Sequence, residues 1–321
     1  MPPTKRTSPP RATRRKPAKR RTVRRNRGRG LFLSMVLILI FVLVYHFYGD
    51  QIQHQLGISA STGANLSDNE IIVTFLDVGQ AESIVIRSNN NAVLIDGGTH
   101  AQRNVVMDYL RDAGIRELCY VVATHPHYDH IGGLVTVLRR INTGMVIMPN
   151  VTHNTITFEN FLSVIEDNRI PITIPTPGDV IRAGIIELTV IAPPDPHPGP
   201  ANILNNASVV LRLSHGNSSF LFTGDAEREL EDWMVANTRF LNSTVLNVGH
   251  HGSNTSTTEA FLNAVNPRAA VISLGENNRY GHPHPDVLDR LSARGIQIFR
   301  TDQLGTIRML ADGYEITVLS N

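Results

Sequence analysis

Over residues 70–321, short runs of apolar and β-branched residues alternate with stretches of helical period. Residues 71–78, 83–88 and 92–96 read as strands, with Asn89, Asn90 and Asn91 as the turn of a hairpin. A helical pattern at 105–113 is closed by Gly114, and 118–124 reads as a buried strand. Further strands are predicted at 145–148, 186–191, 208–213, 219–223, 244–248, 269–273, 296–299, 305–310 and 314–319. Helices are predicted at 158–168, 227–237, 257–265 and 285–294. No internal repeat is visible. The alternation predicts a mixed α and β domain, with two sheets packed face to face and helices outside.

One segment breaks this pattern. Residues 31–48 (LFLSMVLILIFVLVYHFY) contain no Asp, Glu, Lys or Arg. At about 1.5 Å per residue they span roughly 27 Å, close to the hydrocarbon thickness of a bilayer. Tyr45, Phe47 and Tyr48 at the far end suit the headgroup region. A buried core helix rarely lacks a polar face over such a length. A cleaved signal peptide would have a shorter apolar region, with residues 59–61 as its cleavage site. The pattern favours an uncleaved single transmembrane helix, with membrane lipid as its partner.

Charge gives that helix an orientation. Residues 1–30 hold 13 of the 30 basic residues and none of the 28 acidic ones, leaving 17 and 28 elsewhere, a net of −11. The basic, proline-punctuated arm is expected to be disordered. Its charge places the N-terminus in the cytoplasm and everything beyond the helix outside the cell. Contact with acidic lipids explains the arm without a nucleic-acid partner. Residues 49–69 are small and polar and read as a linker to a domain at 70–321. The single cysteine, Cys119, excludes an internal disulfide framework and any multi-cysteine zinc site.

Chemistry concentrates in the loops after strands. His125, His127, Asp129 and His130 offer four ligands within six residues, followed by Gly132 and Gly133, which let backbone approach closely. Imidazole and carboxylate suit zinc, manganese or iron, and the spacing lets each pair point at its own metal. Asp225 ends an apolar strand, His250 and His251 end another, and His282 and His284 precede a helix. These clusters hold seven of the thirteen histidines. His46, His54, His100, His153, His197 and His215 stand alone and are read as structural or merely exposed.

Together these motifs resemble the metallo-β-lactamase fold superfamily, and within it the extracellular hydrolase-like domain of the ComEC-type DNA-uptake (competence) proteins. The residues that carry the resemblance are Asp77–Gln80, Asp96–Gly98, His125–His130, Asn205–Ser208, Gly224–Asp225, Gly249–Ser253, Asn278–Pro283 and Arg300–Asp302. They cover about residues 70–320. The resemblance implies an α/β fold, an αββα sandwich with a two-metal site along one sheet edge. The chain departs from it at Ala81–Glu82, where the pattern usually has Gly-Asp. Residues 205–208 hold no histidine where many superfamily members place a ligand, a feature the ComEC-like group shares. ComEC-type transporters also carry a many-helix channel, whereas this sequence shows one predicted span.

The resemblance then assigns His125, His127 and a histidine of the 250–251 pair, His250 first, to one metal. Asp129, His130 and His282 take the other, with Asp225 bridging. Two divalent ions are implied, zinc first and manganese second, which activate a water between them. Asp129 orients that water or takes its proton, and whichever of His250 and His251 is off the metal donates a proton or binds substrate. Ser208, Ser253 and Asn254 are candidate substrate contacts. N-capping of the helix after residue 257 is an equally good account of Ser253 and Asn254. The implied reaction is phosphodiester hydrolysis, with extracellular nucleic acid as substrate. The acidic domain favours one alternative, a hydrolase of small or cell-envelope phosphoesters. A non-catalytic surface binding protein on the same fold is the alternative of another class, which the intact ligand set disfavours.

Overall fold

The computed structural model describes residues 66–200 and 204–320. The expected arm at 1–30, the span at 31–48 and most of the 49–69 linker lie outside these residues, as do His46 and His54. Among the described residues no helix is long and apolar enough to cross a membrane.

The chain builds two sheets in turn. The first half contributes β1 (Ile71–Phe75), β2 (Ile84–Ser88), β3 (Asn91–Ile95), α1 (Arg103–Asp112), β4 (Glu117–Val122), α2 (Tyr128–Ile131), α3 (Leu134–Arg140), β5 (Asn142–Ile147), α4 (Ile156–Asp167) and β6 (Ile172–Thr173). The second half contributes β7 (Val180–Ala183), β8 (Ile186–Ala192), β9 (Val210–His215), β10 (Ser218–Phe222), α5 (Arg228–Asn237), β11 (Val245–Asn247), α6 (Glu259–Val265), β12 (Ala269–Ile272), α7 (Pro285–Ala293) and β13 (Gln297–Arg300). After α8 (Thr301–Leu304), β14 (Ile307–Ala311) and β15 (Ile316–Leu319) return to the first sheet. The sheet orders are β15-β14-β1-β2-β3-β4-β5-β6 and β13-β12-β11-β10-β9-β8-β7.

Side-chain parity explains the layering. In β2 and β3, Ile84, Ile86, Val93 and Ile95 face the other sheet, while Val85, Ala92 and Leu94 lie under the helices. Strands buried on both faces lose the usual apolar–polar alternation, which is why they read as continuous apolar runs. Between the sheets, Phe222 packs 6.3 Å from Phe75 and 6.1 Å from Phe220, centroid to centroid. Leu230, Met234, Phe261, Leu262 and Val287 cover the outer face of the second sheet. The result is the expected αββα sandwich.

Most predicted strands and helices are present within a few residues. The hairpin turn is Asn89–Asn90, because Asn91 already pairs with Ser88. Strands β6 and β7 were not predicted, since one has two residues and the other is a largely exposed edge. Strands β3–β6 and β10–β13 run parallel within their sheets. Parallel order gathers their C-terminal ends, the usual place for ligands in such sheets. At the opposite end, where the chain enters β1, the Asn69 carbonyl oxygen lies 2.8 Å from His215 Nε2, and its side-chain amide bonds the Asp312 carbonyl.

Two loops at the C-terminal end touch backbone to backbone. Gly97 N donates to His130 O at 2.7 Å, and Gly133 N donates to Gly98 O at 2.9 Å. A Cβ on Gly133 would collide with the Gly97 carbonyl, and one on Gly132 would sit 2.5 Å from the Tyr128 carbonyl oxygen. Gly133→Ala is therefore expected to cost about 1–3 kcal/mol by overpacking. A lower urea midpoint at unchanged slope checks this; an unchanged midpoint would show that the loops can part.

Candidate metal centre

Each sequence cluster does lie at a strand end. His125, His127, Asp129 and His130 follow β4, Asp225 follows β10, His250 and His251 follow β11, and His282 follows β12. Asp225 stands in the middle with its two oxygens facing different ways. Its Oδ2 is 3.5 Å from His125 Nε2 and 3.8 Å from His250 Nε2. Its Oδ1 is 3.2 Å from His130 Nε2 and 3.6 Å from His251 Nε2, which is also 3.6 Å from Asp129 Oδ2. Among the described residues three tight groups of potential ligands result: His125, His127 and Asp225; Asp129, His130 and His251; and, behind His130, Glu82, Asp96 and His130.

The buried atoms His130 Nε2, His251 Nε2 and Asp225 Oδ1 converge without making a hydrogen bond. Orphaned polar atoms are rare in a protein interior, and three aimed at one region are the donor set a cation would satisfy. The electrostatics agree. Burial alone would raise the Asp225 carboxyl, yet His130, His251, His125 and His250 hold it well below the usual range. Burial opposes charge on His251, but Asp225 and Asp129 push it up to about 9. Divalent ions here would displace imidazole protons. The residues therefore fit a divalent metal.

Outer partners orient the rings. His130 Nδ1 lies 2.7 Å from Asp96 Oδ2, and Asp96 also accepts from Thr124 N at 2.8 Å and Thr124 Oγ1 at 2.7 Å. His251 Nδ1 donates to Ser273 O at 2.8 Å. Glu227 Oε1 sits 3.1 Å from His250 Nδ1. Each contact holds the ring with Nε2 toward the centre. His250 and His251 are displayed from consecutive left-handed residues, with φ of 49° and 54°. Such backbone costs about 1–2 kcal/mol per residue. Bonds from His250 N to Gly224 O (3.1 Å) and from Ser256 Oγ to Gly249 O (2.7 Å) hold it.

The division of ligands differs from the expected one. His251, rather than His282, stands with Asp129 and His130. His282 is set by Gln80, whose Oε1 accepts from Gly275 N at 3.2 Å, leaving its Nε2 to donate to His282 Nδ1 at 3.3 Å. His282 therefore carries its proton on Nε2, as a donor. Burial first, then His250, lowers it to about 4, so it is neutral at pH 7. His284 Nδ1 accepts from Asn254 N at 3.0 Å.

Ser208 is corrected as well. It is fully buried, accepts from Asp225 N at 3.1 Å and lies 3.5 Å from His125 Nδ1, so it supports ligands and does not face substrate. Ser253 is buried too, with its hydroxyl 3.0 Å from Thr255 Oγ1, while Asn254 is exposed. Neither caps the following helix; Thr258 does, accepting from Phe261 N.

Several contributors had no role in the sequence reading. Asp96 was visible as a motif, with no function attached. Glu227 accepts from Asn205 Nδ2 at 3.0 Å and from Thr255 Oγ1 at 3.1 Å. Asn206 Oδ1 accepts from Glu227 N at 3.0 Å, so the 205–208 stretch serves the centre through Glu227 and Ser208. Buried Glu231 accepts from Thr257 N and Thr258 N, and Arg290 donates to the Ser256 and Thr257 carbonyls. His153 borders His127, with ring centroids 5.5 Å apart.

Metal analysis tests this division. Asp225→Ala is expected to lower metal content at both groups, and His251→Ala chiefly at one. His282→Ala is expected to leave content unchanged. Asp96→Asn is expected to weaken affinity about 10–100-fold in a competition titration. A His282→Ala protein that loses one equivalent would restore His282 as a ligand.

Comparison with known proteins identifies the family. ComE operon protein 3 of Bacillus subtilis (strain 168) is 33% identical over 254 residues, covering 74% of this chain and 32% of that protein. Competence protein ComA of Neisseria gonorrhoeae is 34% identical over 245 residues, 75% of this chain and 32% of that protein. The chain thus spans about a third of the length of these relatives. Among solved structures, the diiron β-hydroxylase CmlA from Streptomyces venezuelae matches with a TM-score of 0.50 at 14% identity, over 76% of this chain and 54% of that one, a likeness of fold alone. The ComEC-type resemblance is borne out by these relatives. The family model described as metallo-beta-lactamase superfamily matches residues 76–276, and the chain belongs to that superfamily, most of whose members are metal-dependent hydrolases.

Proposed function

We propose that the chain is a metal-dependent phosphodiesterase acting on nucleic acid, anchored in the membrane by residues 31–48 with its hydrolase domain outside the cell. The observation that carries the chemistry is the buried Asp225 carboxylate shared by two groups of ligands. Two divalent ions, when bound, lower the pKa of water and draw charge from a phosphoryl group. His125, His127, Asp225 and His250 would hold the first ion, and Asp129, His130, His251 and Asp225 the second.

The chain's own side chains supply the rest. Burial would raise Asp129, but the His251 imidazole 3.6 Å away and the nearby His130 hold it well below the usual range, so it stays ionised and can orient a water by accepting its hydrogen bond. Neutral His282, its tautomer set by Gln80, offers Nε2–H to a substrate or leaving-group oxygen. The resemblance to ComEC-type DNA-uptake proteins favours nucleic acid as substrate. The net charge of −11 beyond residue 30 favours the second reading, a hydrolase of small or envelope phosphoesters. The orphaned donor atoms speak against a non-catalytic binding protein.

Two experiments test this. The metal-loaded chain is expected to cleave single-stranded DNA with a rate that falls steeply with salt, and His127→Ala is expected to abolish it. Cleavage of a nitrophenyl phosphodiester alone would support the envelope reading. Protease added to intact cells, or to spheroplasts where a wall intervenes, is expected to release a domain beginning between about residues 49 and 70. A domain digested only after lysis would reverse the topology.

A further inference from the structure

We propose that Tyr128, Tyr280 and Arg279 form a stacking subsite for an unpaired nucleobase beside the metal centre, which makes single-stranded nucleic acid the preferred substrate. The proposal rests on the phosphodiesterase reading and adds a determinant of specificity to it. Tyr128 lies between the ligand-bearing residues His127 and Asp129, yet its side chain turns outward and is 51% exposed. Tyr280 precedes His282 by two residues and is 46% exposed. Its ring stacks on that of His282, with centroids 5.6 Å apart and planes 26° apart. His282 in turn is 5.7 Å from the His250 ring. Aromatic surface thus runs without a break from the metal ligands to solvent.

Two features distinguish this patch from scattered surface tyrosines. It is assembled from both sheets, Tyr128 following β4 between the ligand-bearing residues and Tyr280 following β12 and stacked on His282. It also carries an uncommitted cation. The Arg279 guanidinium carbon lies 5.0 Å from the Tyr280 ring centroid and Nη2 donates to the Tyr280 hydroxyl at 2.9 Å, with no carboxylate partner among the described residues. Aromatic rings with a neighbouring guanidinium are the elements that bind single strands without regard to sequence: bases stack on the rings and the cation meets a phosphate or a base face. Bases paired in a duplex are hidden from such a surface. Recognition through base faces also suits an acidic domain, because it draws less on attraction to many phosphates.

The test compares oligothymidylate with an abasic oligonucleotide of the same length, which keeps the phosphates and lacks the bases. Cleavage kinetics and fluorescence-anisotropy binding are measured on the full metal-loaded chain. The wild type is expected to favour oligothymidylate about tenfold in KM or Kd. Tyr280→Ala and Tyr128→Ala are expected to erase that preference with unchanged kcat, unchanged metal content and unchanged handling of the abasic strand. Tyr280→Phe is expected to restore it. Equal handling of the two strands by the wild type would overturn the subsite and leave the phosphodiesterase reading intact. Equal losses on both strands in the alanine variants would mean that the rings only support the centre. If neither strand is cleaved, the phosphodiesterase reading falls, and binding without base preference then removes the subsite too.

Discussion

A carboxylate almost without accessible surface, wedged among four imidazoles, is an unstable arrangement unless positive charge is supplied, and Asp225 is in that position. No arginine or lysine from the described residues pairs with it; the cations that pair with it are all histidines. Burial makes each of these interactions strong and leaves them mutually dependent. The fold around Asp225 can be understood as the means of bringing the four rings to it: one from each end of the run after β4, and two from the turn after β11. Neither sheet alone could do this, because the β4 ligands belong to the first sheet and Asp225, His250 and His251 to the second. The centre therefore also ties the two halves of the sandwich together.

The scaffold is organised to keep the rings from relaxing. Asp96, Ser273 and Glu227 hold Nδ1 atoms, Ser208 holds the backbone of Asp225, and Glu231 with Arg290 holds the loop beyond His251. The left-handed backbone at His250 and His251 costs energy that a free loop would release, and those surrounding bonds oppose its release. Rings held in this way lose little entropy when an ion arrives.

What could be read from the sequence follows from how local each feature is. The run from His125 to His130 was legible because its ligands are contiguous and no packing rule explains them. Asp225 was legible only through the family resemblance, because a Gly-Asp after an apolar strand is by itself more often a turn. The choice between His251 and His282 was not, because it depends on two left-handed residues and on the Gln80 amide, more than 160 residues upstream. Glu227 and Glu231 were invisible for a different reason. In sequence they are ordinary helix-start and helix-face acids, and only tertiary packing turns them inward. The sandwich was visible from buried strands, while β7 escaped because an exposed edge strand leaves little apolar trace.

The chain enters β1 where Asn69 meets His215 and Asp312, at the pole opposite the strand ends that carry the histidines. The bonds that fasten the start of β1 are therefore separated from the histidines by the full length of the strands. Loosening them would fray that end of the sandwich without directly moving a ligand.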